Sequence, residues 1–200
     1  MDGGGPVRSG ISASRPDLCS RALLPPGTHR LGPGNATLTV HTRRGGAAAK
    51  AGHDLDLLVG AWEGTLEVAA DGAVTRARLT ADASSLRVQR GAGGMQPLGE
   101  DDRAKIHRKI ADEVLGRQAI AFRSTRVERA GEGLRVEGEL TLAGRTKPLA
   151  FELVLGADGA LAATVTVTQT SFGIRPYSAL WGALKVLDEV EVALDGKVVD

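Results

Sequence analysis

Three features of the sequence predict an all-β protein: apolar and polar residues alternate along most of its length, one isolated segment has a four-residue apolar spacing, and no strand–helix–strand crossover pattern occurs. About nine short strands at regular spacing fit a sandwich or a barrel. A closed antiparallel barrel is preferred, because long alternating edge strands invite aggregation and closure removes the edges.

Residues 1–26 carry too little apolar content to repay the entropy of ordering, and Pro25 and Pro26 punctuate their end. They are expected to form a disordered arm, with residues 27–200 as the folded domain. From Thr37 the alternation begins, with Leu38 and Val40 on one face and Thr37, Thr39 and His41 on the other. It returns in Leu55, Leu57 and Val59, and after a turn at Gly60 in Trp62, Gly64, Leu66 and Val68, with Glu63, Thr65 and Glu67 outward. Gly91, Gly93 and Gly94 read as a flexible connector.

Gly99 to Gly116 breaks the period of two. Ile106, Ile110 and Val114 recur at every fourth position, Asp101 or Asp102 is placed to cap the start, and Gly116 is placed to stop the run. The spacing predicts one amphipathic helix whose Lys105, His107, Arg108 and Lys109 form a solvated outer face. Beyond it, Leu134, Val136, Gly138, Leu140 and Leu142 alternate with Arg135, Glu137, Glu139 and Thr141. A turn at Ala143 to Arg145 leads to Leu149, Phe151, Leu153 and Leu155, and a turn at Ala157 to Gly159 leads to Leu161, Ala163, Val165 and Val167. Three strands joined by short turns make an antiparallel meander. Val190, Val192 and Leu194 form a last alternation.

The composition bears on what such a barrel could do. The 200 residues are 42% hydrophobic but only 3% aromatic, so six rings (Trp62, Phe122, Phe151, Phe172, Tyr177, Trp181) serve the whole core. An eight-stranded barrel is just wide enough to be filled by side chains or to hold one small ligand, and small aliphatic inward residues favour the second outcome. Lys plus Arg number 25 against 24 Asp plus Glu, giving a net charge of +1 that is too weak to hold nucleic acid by charge. No apolar stretch is long enough for a membrane span, so no stable membrane insertion is expected. A single cysteine, Cys19, excludes an internal disulfide and a thiolate metal site. The first residues lack the apolar core of a secretory signal, so the expected address is the cytoplasm.

Catalytic chemistry is mostly missing. His29, His41, His53 and His107 lack the i, i+4 helical spacing of a metal pair, although His41 and His53 could meet across paired strands. No Gly-x-Ser-x-Gly elbow or phosphate-binding glycine loop is present. His53 beside Asp54 could serve as a general base, but adjacent strand residues point to opposite faces, and a polar contact at the barrel mouth is the preferred reading. Arg43, Arg44, Arg145, Lys147, Arg175 and Lys185 fall at or near turns, where some could converge on an anionic head group.

The stretch Thr164-Val-Thr-Val-Thr-Gln-Thr-Ser-Phe-Gly-Ile-Arg-Pro-Tyr-Ser-Ala-Leu180, ending in Lys185-Val-Leu-Asp-Glu-Val-Glu-Val192, resembles the C-terminal signature of the YceI-like family. Ala51-Gly-His-Asp-Leu55, Asp82-Ala-Ser-Ser-Leu-Arg-Val88 and Gly138 to Phe151 resemble further pieces of its pattern in the right order, so the resemblance runs from about Gly27 to Gly196. It implies a lipocalin-like, antiparallel eight-stranded β-barrel, here with one inserted amphipathic α-helix. The implied interior is apolar and takes a polyisoprenoid or similar amphiphile without a cofactor. Placed on this sequence, the implied lining is Leu55, Leu57, Leu66, Phe122, Leu140, Phe151, Val165 and Phe172, with His53, Arg175 and Tyr177 as polar head contacts.

The expected function is therefore binding or carriage of an isoprenoid or fatty amphiphile. A homodimer is left open. The alternatives are a stress-associated scaffold using the basic helix face and an enzyme acting on an amphiphilic lipid through His53.

Overall fold

The computed structural model describes residues 24–156 and 158–198. Its strands are β1 (Gly27–Leu31), β2 (Ala36–Thr42), β3 (Arg44–Gly45), β4 (His53–Val59), β5 (Trp62–Val68), β6 (Val74–Asp82) and β7 (Leu86–Gly93), followed by the helix α1 (Glu100–Lys109). After the helix come β8 (Ala119–Ala130), β9 (Gly133–Leu142), β10 (Arg145–Leu155), β11 (Ala160–Thr168), β12 (Ser178–Ala179), β13 (Leu184–Val186) and β14 (Glu189–Lys197). Eleven of the strands join one antiparallel sheet, and β12, β13 and β3 form a small second one.

The eleven reduce to eight ribbons. β1 and β2 are two halves of one ribbon, because β1 pairs with β5 while β2 pairs with β4, in nearly one register. β4 runs straight on into β5, and β6 into β7, with β5 on β6 and β4 on β7. The remaining five are β8, β9, β10, β11 and β14, and the pairing of β14 with β2 brings the last ribbon back to the first. Each ribbon thus has a neighbour on both sides, as a barrel requires. The eight-stranded expectation holds, with three strands bent at corners that periodicity alone does not reveal.

The corners are held by specific hydrogen bonds. Gly60 N donates to Ser85 O at 3.2 Å and Asp82 N to Ala61 O at 2.9 Å, locking the second bend to the third. The Asp82 carboxylate accepts from Ser84 N at 2.8 Å and Ser84 Oγ at 2.7 Å, so it caps a single 3-10 turn, Ala83–Ser85. At the first bend Asn35 accepts from Gly32 N and donates to Arg30 O.

Several local expectations are corrected. Asp82 to Val88, a strand in the family pattern that it resembles, is here a corner between two strands. Gly91 and Gly93 belong to β7, paired with Leu55 and His53, so the glycine run is a strand end. The helix starts on Gly99, which offers no side-chain cap, and Asp101 and Asp102 instead complement the positive N-terminal end from the first turn. Its α-helical hydrogen bonding gives way to a π turn at Ile110–Val114 before Gly116, at φ 60°, ends the element. The presumed arm also reaches into the fold at its end. Leu24 is buried in the core, and the His29 ring bonds Pro25 O at 2.7 Å. The rest of the expected arm, residues 1–23, lies outside the described residues.

One end of the barrel is packed shut. Val68, Val74, Leu134, Val136, Leu155 and Leu161 are all buried there, and Val136 has no exposure at all. Their strands end in tight turns, with Gly72, Gly131 and Gly159 at positive φ.

Candidate ligand-binding cavity

Above that floor lies a cavity of about 660 Å³, within the usual range for ligand sites. Its walls are the inward rows of the strands, because a pleated strand sends every second side chain to the same face. On β4 these are Leu55 and Leu57, on β5 Leu66, on β8 Phe122, on β9 Leu140, on β10 Phe151 and on β11 Val165, so seven of the eight implied lining residues converge on one space. The phenyl rings of Phe122 and Phe151 stand 5.3 Å apart, tilted by 57°. Gly138, on β9 between their strands, keeps its inward face clear. A Cβ there would collide with the Arg123 carbonyl and come within 2.7 Å of Phe122.

Phe172 is the exception. The β11 alternation ends at Thr168, and the chain enters a 3-10 turn, Gln169–Phe172, which buries Phe172 in the core away from the cavity. Gln169 and Ile174 line the cavity from this segment instead, and Gln169 Nε2 donates to Leu187 O at 2.9 Å. Among the lining residues missed by the sequence reading are Ile120 and Val192, together with the helical stripe Ile106, Ile110 and Val114. The signal for the last three was present, since their four-residue spacing marks one apolar face running along α1 and the π turn that follows it, and that face covers the barrel mouth.

The cavity opens at the end opposite the floor. Residues of the loop before β4, of α1 and of the β12–β13 hairpin bound it there, whereas none of the turns at the closed end does. The polar candidates divide accordingly. His53 and Tyr177 stand at this mouth, while Arg175 is exposed outside it. Cations at the mouth come from Arg44, Lys105, Lys109 and Lys185. Lys105 and Lys109 keep the solvent exposure expected of them while also bordering the mouth, and His107 turns to bond Leu86 O at 2.7 Å. A hydrogen bond from Lys109 to Glu113 (2.7 Å) holds its ammonium above the usual lysine range, with a smaller contribution from Tyr177, whose ring lies 5.4 Å beneath it.

His53 and Asp54 diverge, as alternation requires. The His53 Nε2 contacts Gln96 O at 2.8 Å, and Asp54 accepts from Arg44 N at 2.8 Å. His53 also stays apart from His41, since β4 places it opposite Gly93. His41 pairs instead with Asp56, Nδ1 to Oδ1 at 2.8 Å. Two buried polar atoms, Thr42 Oγ1 and Trp62 Nε1, have no hydrogen-bond partner among the described residues.

No curated protein sequence matches the chain. Among solved structures it is similar to BcnA of Burkholderia cenocepacia, at 13% identity and a TM-score of 0.59, over 80% of this chain and 94% of that one. It is also similar to a polyisoprenoid binding domain from Saccharophagus degradans implicated in plant cell wall breakdown, at 10% identity and a TM-score of 0.53, over 86% and 99%. At such identities the likeness concerns the barrel alone. The sequence pattern carries more, because the family model for the YceI-like domain matches residues 37–198, from the second strand of the barrel to the end of the described chain. With four-fifths of its residues under that one model, folded as a barrel with a single open end, the chain belongs to the YceI-like domain family.

Proposed function

We propose that the protein binds and carries one long apolar chain, a polyisoprenoid or a fatty amphiphile, with its tail in the barrel and its polar end at the mouth. The observation that carries this reading is the one-ended apolar cavity of about 660 Å³ with four cationic side chains at its opening. Each methylene-sized unit buried contributes about 0.8 kcal/mol, so a tail is held by area with few directed contacts. The polyisoprenoid binding domain from Saccharophagus degradans shares the fold and lends support to an isoprenoid tail. The reading includes no catalytic turnover and a cytoplasmic address.

Native mass spectrometry of the purified protein, with lipid extraction and uptake of a polyprenol and a fatty acid probe, tests it. One chain per barrel is expected, and a Leu140→Trp variant, which narrows the cavity at its wall, should take up less of either probe while remaining folded. Absence of any bound or acquired chain would reject the carrier. Hydrolysis of a lipid ester or phosphate panel, lost on His53→Ala, would replace it with an enzyme, and cell fractionation checks the address.

A further inference from the structure

Large exposed apolar side chains are concentrated at one end of the molecule. Of the six in the described chain, Val154 alone lies away from the mouth, while Met95, Tyr177, Leu180, Trp181 and Leu187 stand on the loops around it. Trp181 is fully exposed, at 107% of its reference area, and Leu180 is 59% exposed. They form the tip of the β12–β13 hairpin, where both adopt left-handed backbone, at φ 51° and 58°. Two consecutive non-glycine residues in that region are uncommon, and here the conformation presents a leucine and a tryptophan to solvent.

Charge around the tip has one dominant sign. Residues 43–54 and 175–188 contain five cations, Arg43, Arg44, Lys50, Arg175 and Lys185, against two carboxylates, Asp54 and Asp188. Both carboxylates are occupied, Asp54 by Arg44 N and Asp188 by Thr170 N and Oγ1. β13 pairs with β3, which joins the tip to the arginine segment, and Ala48 N donates to Ala183 O at 2.7 Å. An apolar tip with an indole, framed by basic side chains, matches the interface of an anionic bilayer, where tryptophan settles at headgroup depth and lysine and arginine meet lipid charge.

We propose that this rim docks the protein on an anionic lipid surface, with Leu180 and Trp181 entering the headgroup layer and the cavity mouth facing the bilayer. The proposal rests on the carrier reading for its purpose, since a chain too apolar for water has to be collected from a membrane.

Co-sedimentation of the full chain with vesicles of phosphatidylcholine alone or mixed with phosphatidylglycerol is the test, read together with tryptophan emission and quenching by brominated lipid. Binding to the anionic vesicles is expected, weakening with salt, with a blue-shifted and quenched emission lost in Trp181→Ala. Trp181→Ala should weaken binding roughly tenfold or more, and joint Arg43→Glu, Lys50→Glu and Arg175→Glu substitution should abolish it. Uptake of cis-parinaric acid in the absence of vesicles should be unchanged in both variants. Wild-type protein that takes the probe but ignores anionic vesicles, or a Trp181→Ala variant that binds them equally, overturns the docking and leaves the carrier intact. Docking without probe uptake keeps the docking and rejects the carrier. Lipid-free self-association that disappears in Trp181→Ala, with no vesicle binding, overturns the proposal in favour of a second copy of the chain.

Discussion

Phe122 and Phe151 meet from two strands that are not neighbours, β8 and β10, with ring centroids 5.3 Å apart over the intervening β9. Both rings bound the cavity, so the pair joins the stability of the barrel to its capacity. Phe122→Ala is expected to cost about 3–5 kcal/mol in urea unfolding and to shift the preferred ligand toward a longer or bulkier chain. Unchanged stability with unchanged chain-length preference would show that the ring belongs to neither.

Gly138 carries the opposite constraint. A methyl group there meets the Arg123 carbonyl as well as the Phe122 ring. Gly138→Ala should destabilise by about 1–3 kcal/mol. Combining it with Phe122→Leu should recover part of that loss, because the ring can retreat while the backbone carbonyl cannot. A double-mutant cycle in urea measures the recovered part.

Thr42 buries a hydroxyl without a partner among the described residues, at the end of β2 beside the cavity. Replacing it by the similarly shaped valine removes the desolvation cost of that hydroxyl. Thr42→Val is therefore expected to raise stability by about 1 kcal/mol, read as a higher urea midpoint at constant slope. A lower midpoint would mean the hydroxyl is satisfied.

The acid limit of stability should involve two surface carboxylates. Asp82 is held below the usual carboxylate range by its hydrogen bonds from Ser84, and Asp158 by the Ala160 N–H first and then by Lys197. A carboxylate with a depressed folded pKa contributes stability that is present above its unfolded value and lost as pH falls through the folded one. Asp82→Asn and Asp158→Asn should each lower stability at pH 6 and converge on the wild type below the ordinary carboxylate range near 3.8. Thermal unfolding across pH 2 to 6 checks this, and a difference that persists at the acid end would assign it to something other than charge.

Alternation made the walls legible. Leu57, Leu140, Phe151 and Val165 could be placed in a barrel interior because each lies in a run whose period of two continues on both sides. Phe172 failed because its run had already ended in a 3-10 turn, after which parity says nothing about direction. The corner at Asp82 to Leu86 was missed for a different reason. Its strand reading came from the family pattern and not from alternation, which Ser84 and Ser85 interrupt, and the hydrogen bonds of Asp82 and Ser85 make the bend. The stripe of α1 was read correctly as apolar, but which surface it covers depends on a contact between distant segments. The same contact sets the exposed Lys105 and Lys109 beside the cavity mouth.

A floor closed by Val136 and its neighbours gives the barrel a single door. Whatever chain it takes must back out by the route it came in, polar end leading on departure. Nothing passes through. Release then slows with every further carbon buried, so residence time becomes a ruler of tail length, and exchange with any acceptor is a two-way transaction whose direction is decided outside the protein.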